Sequence, residues 1–155
     1  MTNQTPSLPF SSAPSYDVAC VLCAASGGDV LFEDDICRVV LVTDDEGAAF
    51  PGFCRVICQR HVQEVSDLAA NEQNHMFKVV MATEKAIRTV QQPDKMNLAS
   101  LGNVVAHVHW HVIPRWMDDS HFPGPIWATA KRAVPARQRV NKSALCDALE
   151  LALQA

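Results

Sequence analysis

Three histidines, His107, His109 and His111, alternate with bulky apolar residues in the segment HVHWHV. If this segment is a β-strand, alternate side chains share a face, so the three imidazoles lie together on one side. A solvent-facing side of an amphipathic strand would also explain the alternation, but Lys, Glu or Thr serve that purpose better than imidazole does. Two kinds of chemistry fit the pattern. One metal ion could bind all three histidines, or one histidine could act as a nucleophile that the others position.

A close pair of cysteines, Cys20 and Cys23, is a second candidate site. The two-residue gap allows both sulfurs to bind one zinc ion. A Cys₂His₂ site needs two more ligands, and His61 and His107 are the candidates, because one follows the apolar segment FCRVIC and the other opens the histidine segment. The alternatives are two small buried cysteines without metal, or a redox pair, which the absence of a surrounding βαβ pattern disfavours.

The composition limits the class of protein. The chain has 155 residues, 48% of them apolar, which suits one domain with one core. A net charge of -4 without a basic run disfavours a nucleic acid duplex as partner but allows a small anionic ligand. No apolar run is long enough to predict a membrane span. Residues 1–17 contain three prolines and no basic residue, which predicts a flexible segment, not a secretory signal. We therefore expect a cytoplasmic protein with a single domain over residues 18–155.

The periodicity of apolar residues predicts the order of the secondary-structure elements. Strands are predicted over 30–32, 37–42, 53–58, 96–101 and 104–114, with a tight turn at Gly102 and Asn103 between the last two. Helices are predicted over 71–91, with Asn71 as its N-cap, and over 141–153. The segments 43–52 and 118–125 are predicted loops. Strands and helices without strict alternation indicate an α+β fold.

The segment HVHWHVIPR, His107 to Arg115, resembles the His-x-His-x-His-x-x signature of the histidine triad (HIT) superfamily. The resemblance extends upstream, where CVLC, an acidic EDD turn, an apolar strand and PGFCRVICQRHV are similar to the family's pattern. Downstream, DDSHFPGPIW resembles a zinc-bearing bacterial branch described as diadenosine polyphosphate hydrolases. The similar segments run from Cys20 to Trp127.

This resemblance implies an α+β fold with a five-stranded antiparallel sheet and two main helices, usually paired as a homodimer. It implies that His109 is the nucleophile of a nucleotidyl-histidine intermediate that water then hydrolyses, and that His111 hydrogen-bonds the phosphate or the leaving group. One ring nitrogen of His109 must then be unprotonated while the other donates to a fixed acceptor, for which we expect a backbone carbonyl on a neighbouring strand. A structural zinc would use the four ligands that the family places on Cys20, Cys23, His61 and His107, which disfavours a metal bound by all three triad histidines.

The nucleotide-binding residues follow from the same comparison and from the turn chemistry. Asp45 falls where the family's ribose-binding acidic residue lies. Backbone N–H groups near Gly102 and Asn103 would stabilise the phosphate charge, and Trp127 would wall the pocket. Arg115 could bind a phosphate or pair with an acid. The expected substrate is a dinucleoside polyphosphate or a nucleoside phosphoramidate. The alternatives are a nucleotidyl transferase that uses the same intermediate, and a nucleotide-binding regulatory protein with little turnover.

The sequence departs from the family pattern in three segments. Phe53 stands where the family has the histidine of its PGH segment, so an imidazole is lost. Asn103 and Val104 replace the usual Gln and Ser or Thr before the triad, which removes a hydroxyl that would contact phosphate. Cys58 replaces a proline at a strand end. The first two changes are expected to affect substrate choice and rate.

Overall fold

The computed structural model describes residues 16–155, so the predicted flexible segment 1–17 lies outside the described residues except for its last two positions. The strands β1 to β5 are Asp29–Glu33, Cys37–Leu41, Cys54–Cys58, Lys95–Ala99 and His109–Arg115. They form one antiparallel sheet in the order β1-β2-β3-β5-β4. The helices α1 to α4 are Val21–Ala24, Asp45–Ala49, Ala70–Gln91 and Lys142–Gln154, and a 3₁₀ turn spans Val65–Asp67. The predicted α+β fold, with a five-stranded sheet and two main helices, is confirmed.

The two long helices pack together on one face of the sheet. The buried residues of α3 recur at the three- and four-residue spacing that predicted this helix, and Leu145 and Leu149 of α4 join the same core. The helix begins one residue before the predicted cap Asn71, because the Glu72 carboxylate accepts a hydrogen bond from the Ala69 N–H at 2.8 Å. Within residues 16–155, no helix has both the length and the apolar character that crossing a bilayer requires.

Alternation along the strands separates the helix-facing core from the site. Val56 and Val112 belong to the core under the helices, whereas Ile57 and Ile113 belong to smaller clusters on the opposite face. Trp110 is half-buried on the helix side, where its ring lies 6.2 Å from that of Phe77. The odd-numbered histidines of β5 therefore lie on the face that the two long helices leave uncovered.

The predicted strand over 104–114 is wrong at its start, because β5 begins at His109. A loop over residues 100–108 replaces the predicted tight turn. Val108 uses its backbone elsewhere: its N–H donates to the Val62 carbonyl at 2.7 Å, and its carbonyl accepts from the Cys58 N–H at 3.0 Å. The predicted loop 43–52 contains the short helix α2, whose N-cap Asp44 accepts hydrogen bonds from two backbone N–H groups.

Candidate active site

The four side chains that were predicted to bind metal come together in one cluster, and their ligand atoms lie within 4.8 Å of one another. The Cys20 Sγ lies 3.4 Å from the His107 Nδ1, and the Cys23 Sγ lies 3.5 Å from the Nδ1 atoms of both His61 and His107. A tetrahedral ion with bonds of about 2.3 Å to sulfur and about 2.0 Å to nitrogen holds a sulfur and a nitrogen ligand about 3.5 Å apart. The cluster therefore has the donor set and the spacing to hold a metal ion.

Hydrogen bonds from outside the cluster orient its members. The His107 Nε2–H donates to the Cys58 carbonyl at 2.7 Å, which directs Nδ1 to the thiols. Arg38 is buried and donates to the carbonyls of Leu22 at 2.5 Å and Ser26 at 3.0 Å, so it fixes the turn that carries the cysteines. Burial raises the pKa of the Cys23 thiol, and a bound cation would favour the thiolate that burial disfavours.

His109 lies two residues beyond the cluster and has a different environment. Its Nδ1–H donates to the carbonyl of His107 at 2.6 Å, which leaves a lone pair on Nε2. The predicted acceptor on a neighbouring strand is therefore wrong. The His107 backbone turns out of the sheet, since its N–H donates to the Val105 carbonyl at 2.8 Å, and its own carbonyl is free to accept. Burial lowers the pKa of His109, so the imidazole is neutral near pH 7.

His111 completes the imidazole face. Its ring centroid lies 4.8 Å from that of His109, 5.7 Å from that of Phe53 and 5.0 Å from that of Trp127. Burial, with smaller contributions from His109 and a nearby guanidinium, lowers the pKa of His111 to about 3. Its Nδ1 is buried and has no hydrogen-bond partner within the described range 16–155. A buried ring nitrogen without a partner is uncommon in a folded protein.

Both histidines line a cavity of about 560 Å³, which is large enough for a nucleotide. Residues 101–105 form one wall and Trp127 forms another, so the predicted ligand residues Gly102, Asn103 and Trp127 are all brought to the cavity. Asp45 is not among the lining residues, because it is exposed on the first turn of α2, and its neighbour Glu46 lines the cavity instead.

Arg55 is a lining residue that the sequence analysis missed. It pairs with His111 across β3 and β5, so both side chains leave the same face of the sheet. Its guanidinium lies 3.2 Å from the Glu46 carboxylate and 5.4 Å from the centre of the Phe53 ring. The available signal was a single charged residue within the apolar segment FCRVIC, on the same face as Phe53.

Arg115, in contrast, does not reach the cavity. It is 1% exposed, and its guanidinium donates to the Asp119 carboxylate at 2.7 and 3.0 Å. It also donates to the Asn97 side chain at 2.7 Å and to the Gly124 carbonyl at 2.9 Å. Of the two roles considered from the sequence, pairing with an acid is therefore the observed one. The cluster ties the end of β5 to the loop that leads to Trp127.

Together, the antiparallel sheet and the alternating imidazoles beside a Cys/His cluster define the class of histidine-triad proteins. The HIT domain family model matches residues 26–117, and the chain belongs to this family.

Individual relatives agree with this assignment. The AP-4-A phosphorylase of Mycobacterium tuberculosis is 30% identical over 78 residues, which cover 46% of this chain and 40% of that protein, so the chain spans less than half of that relative's length. Protein hit of Bacillus subtilis is 28% identical over 119 residues, covering 71% of this chain and 79% of that protein. The crystal structure of a histidine triad protein from Marinobacter aquaeolei is similar with a TM-score of 0.61 and 26% identity, covering 81% of this chain and 90% of that one.

Proposed function

We propose that this protein cleaves a nucleotide substrate at the α-phosphorus through a covalent nucleotidyl-histidine intermediate on His109, with water as the final acceptor. The observation that carries the proposal is the orientation of this imidazole. Nδ1 carries the proton and is held by the His107 carbonyl at 2.6 Å, so the lone pair is on Nε2 of a residue that lines the cavity. A neutral imidazole avoids the repulsion that an anionic nucleophile meets at a phosphate, and it is a good leaving group once phosphorylated.

The bonds balance in two steps. In the first, the Nε2 lone pair forms a bond to the α-phosphorus, and the bond from phosphorus to the bridging oxygen breaks, which releases the leaving polyphosphate. In the second, a water oxygen attacks the same phosphorus and loses a proton to bulk solvent, the P–N bond breaks with its electron pair returning to Nε2, and the nucleoside monophosphate leaves. His111 supports both steps as a hydrogen-bonding partner of the phosphate or the leaving oxygen, and the N–H groups near Gly102 and Asn103 bind the equatorial oxygens.

The metal that fits the Cys20, Cys23, His61 and His107 cluster best is zinc. Two thiolates and two imidazoles in tetrahedral spacing are a typical donor set for structural zinc, with no ligand position left for substrate. When bound, the ion would fasten the turn before β1 to the segment that precedes β5. These four residues would therefore support the site without contacting the reacting phosphorus.

A transferase is the second candidate, favoured by the name of one relative, an AP-4-A phosphorylase. In that reaction inorganic phosphate, instead of water, attacks the same intermediate. A dinucleoside polyphosphate is the proposed substrate in both cases, and a nucleoside phosphoramidate is second.

Incubation with diadenosine tetraphosphate tests the proposal. Hydrolysis at the α-phosphorus yields AMP and ATP, whereas phosphorolysis yields ADP and ATP and requires added phosphate. A rapid quench at alkaline pH, followed by mass spectrometry of peptides, should place adenylate on His109. Tight binding without any turnover would instead indicate a nucleotide-binding protein, and adenylate on another residue would exclude His109 as nucleophile.

The cellular context stays a prediction. The family resemblance predicts a homodimer, which sedimentation of the full chain can test. The cytoplasmic location also remains a prediction from the sequence.

A further inference from the structure

We propose that Arg55 is a specificity-determining residue that binds the phosphate chain of the substrate. This inference rests on the proposed nucleotide site and names the substrate class that the site prefers. We expect nucleotides with a polyphosphate chain to bind more tightly than nucleotides whose α-phosphorus carries an uncharged second group.

The charge of the cavity wall is the first step. Among residues 16–155, Arg55 is the one Lys or Arg that lines the cavity with the two histidines. The cavity's other ionisable lining residues are His109, His111 and the Glu46 carboxylate. A guanidinium keeps its charge at any physiological pH. Arg55 is therefore the permanent positive charge of this lining, and a polyphosphate would have to compete with the Glu46 carboxylate, 3.2 Å away, for its hydrogen bonds.

Arg55 lies next to the triad in the sheet. Arg55 and His111 are direct partners across β3 and β5, and such pairs have Cβ atoms about 5 Å apart on one face of the sheet. Arg55, His109 and His111 also line the same cavity. A phosphate in contact with His111 is therefore also close to the Arg55 side chain.

Phe53 packs beside both His111 and Arg55. This side chain is fully buried, with its ring beside that of His111, and the Arg55 guanidinium lies 5.4 Å from the ring centre. Phe53 has no group that could donate a hydrogen bond to phosphate, but its ring is within cation–π distance of the Arg55 guanidinium.

The carboxylates of α2 explain how this charge is kept in place. The Arg55 guanidinium lies 3.2 Å from the Glu46 carboxylate and 3.9 Å from that of Asp44. The Arg55 side chain is only 18% exposed, so these partners hold it at the rim of the cavity. Three oxygens of a phosphate chain offer a guanidinium more hydrogen bonds than one carboxylate contact does.

Calorimetric binding of AMP, ADP and ATP tests the assignment without relying on turnover. The full chain carrying His109→Ala is used so that no nucleotide is consumed, with Arg55→Gln, Arg55→Lys or Arg88→Gln added. Arg88 is exposed on α3, outside the lining of the cavity, and serves as the matched charge control. We expect ATP to bind more tightly than AMP, and Arg55→Gln to reduce that ratio about tenfold, the size of one charged hydrogen bond. Arg55→Lys should keep part of the ratio, and Arg88→Gln should leave it unchanged.

Equal losses of AMP and ATP affinity in Arg55→Gln would overturn the inference, because they would show that Arg55 only positions α2. Loss of the whole ratio in Arg55→Lys would also contradict a role for its charge. The wild-type reaction with diadenosine tetraphosphate keeps the two proposals apart. Failure of turnover with an intact ATP preference would remove the enzyme proposal and leave Arg55 as a phosphate-binding residue. Turnover with no dependence of the ratio on Arg55 would do the reverse.

Discussion

His107 and His109 are two residues apart, yet their rings are available for opposite purposes. The His107 ring donates from Nε2 to the Cys58 carbonyl and directs Nδ1 to two thiols. The His109 ring donates from Nδ1 to the His107 carbonyl and leaves Nε2 open on the cavity side. The residue type is the same in both cases. The ring nitrogen that hydrogen-bonds a backbone carbonyl determines whether the other nitrogen is directed to the Cys/His cluster or to the cavity.

Substitution of the two histidines by alanine should break this comparison most clearly. We expect His109→Ala to lower kcat for diadenosine tetraphosphate by about 10⁴-fold, because the covalent route is lost. Its metal content and melting temperature should match those of the wild type. His107→Ala should lose the metal and much of the stability. A His109→Ala variant that keeps a tenth of the wild-type rate would contradict the assignment of the nucleophile.

Removal of the metal should act through the fold. We expect one zinc per chain by elemental analysis of protein purified without chelator. A strong chelator should lower the melting temperature by about 10 °C or more, because the ion links the turn before β1 to the strand ends. A Cys23→Ala variant should melt near the chelated wild type and should not respond to the chelator. Protein that contains no metal and melts at the same temperature with chelator would contradict this prediction.

The buried pair of Arg115 and Asp119 holds the loop that leads to Trp127 and is separate from the Cys/His cluster. Asp119→Asn should lower the free energy of unfolding by roughly 3 kcal/mol, because it leaves a buried guanidinium without its charged partner. The zinc content should stay at one per chain. Denaturant unfolding checks the first expectation and elemental analysis the second.

The same carboxylate gives a pH dependence with a definite sign. Burial disfavours the ionised Asp119, but the Arg115 guanidinium and two backbone N–H groups outweigh burial and lower its pKa to about 2. Its stabilising contribution is therefore present above the unfolded pKa of about 4 and is lost as the pH falls through about 2. The Asp119→Asn variant should lack this loss, and parallel acid unfolding curves for the two proteins would contradict the prediction.

His111 should give the smallest of these effects, at milder pH. Its pKa in the folded state is about 3, so between about pH 6.5 and that value the unfolded chain binds a proton that the folded chain does not. The free energy of unfolding therefore falls as the pH decreases, by about 2 kcal/mol between pH 7 and pH 5, because only the unfolded chain gains the proton. His111→Gln should have a shallower profile over this range. The difference between the two profiles isolates His111 from the other titrating groups.

The fold and the metal cluster could be predicted from the sequence because their signals are local or are shared by a family. Apolar periodicity identified α3 and α4, and the CxxC spacing with His61 and His107 identified four side chains that the structure brings together. The start of β5 was not predictable in this way. The apolar residues of 104–108 are typical of a strand, but the Val108 backbone binds Cys58 and Val62, and the His107 N–H binds the Val105 carbonyl within the loop.

The lining of the cavity was predicted only in part, because it depends on pairing between distant strands. Arg55 lies in the cavity lining because it pairs with His111 across β3 and β5. Neither segment by itself predicts which residue of the other it will pair with. The sequence analysis chose Asp45 as the acidic residue of the site, but α2 turns its neighbour Glu46 toward the cavity and leaves Asp45 exposed. A helix of five residues with a glycine in its middle gave too weak a periodicity to reveal this turn.

The Arg115 cluster has a consequence for how a ligand enters. The segment from residue 116 to Trp127 is anchored at both the Asp119 carboxylate and the Gly124 carbonyl, so this side of the cavity behaves as a rigid frame. On the opposite side, Val104 is 97% exposed and Leu101 is 51% exposed. Adaptation of the cavity to ligands of different size should therefore fall to residues 101–105, while the side that carries Trp127 keeps its shape.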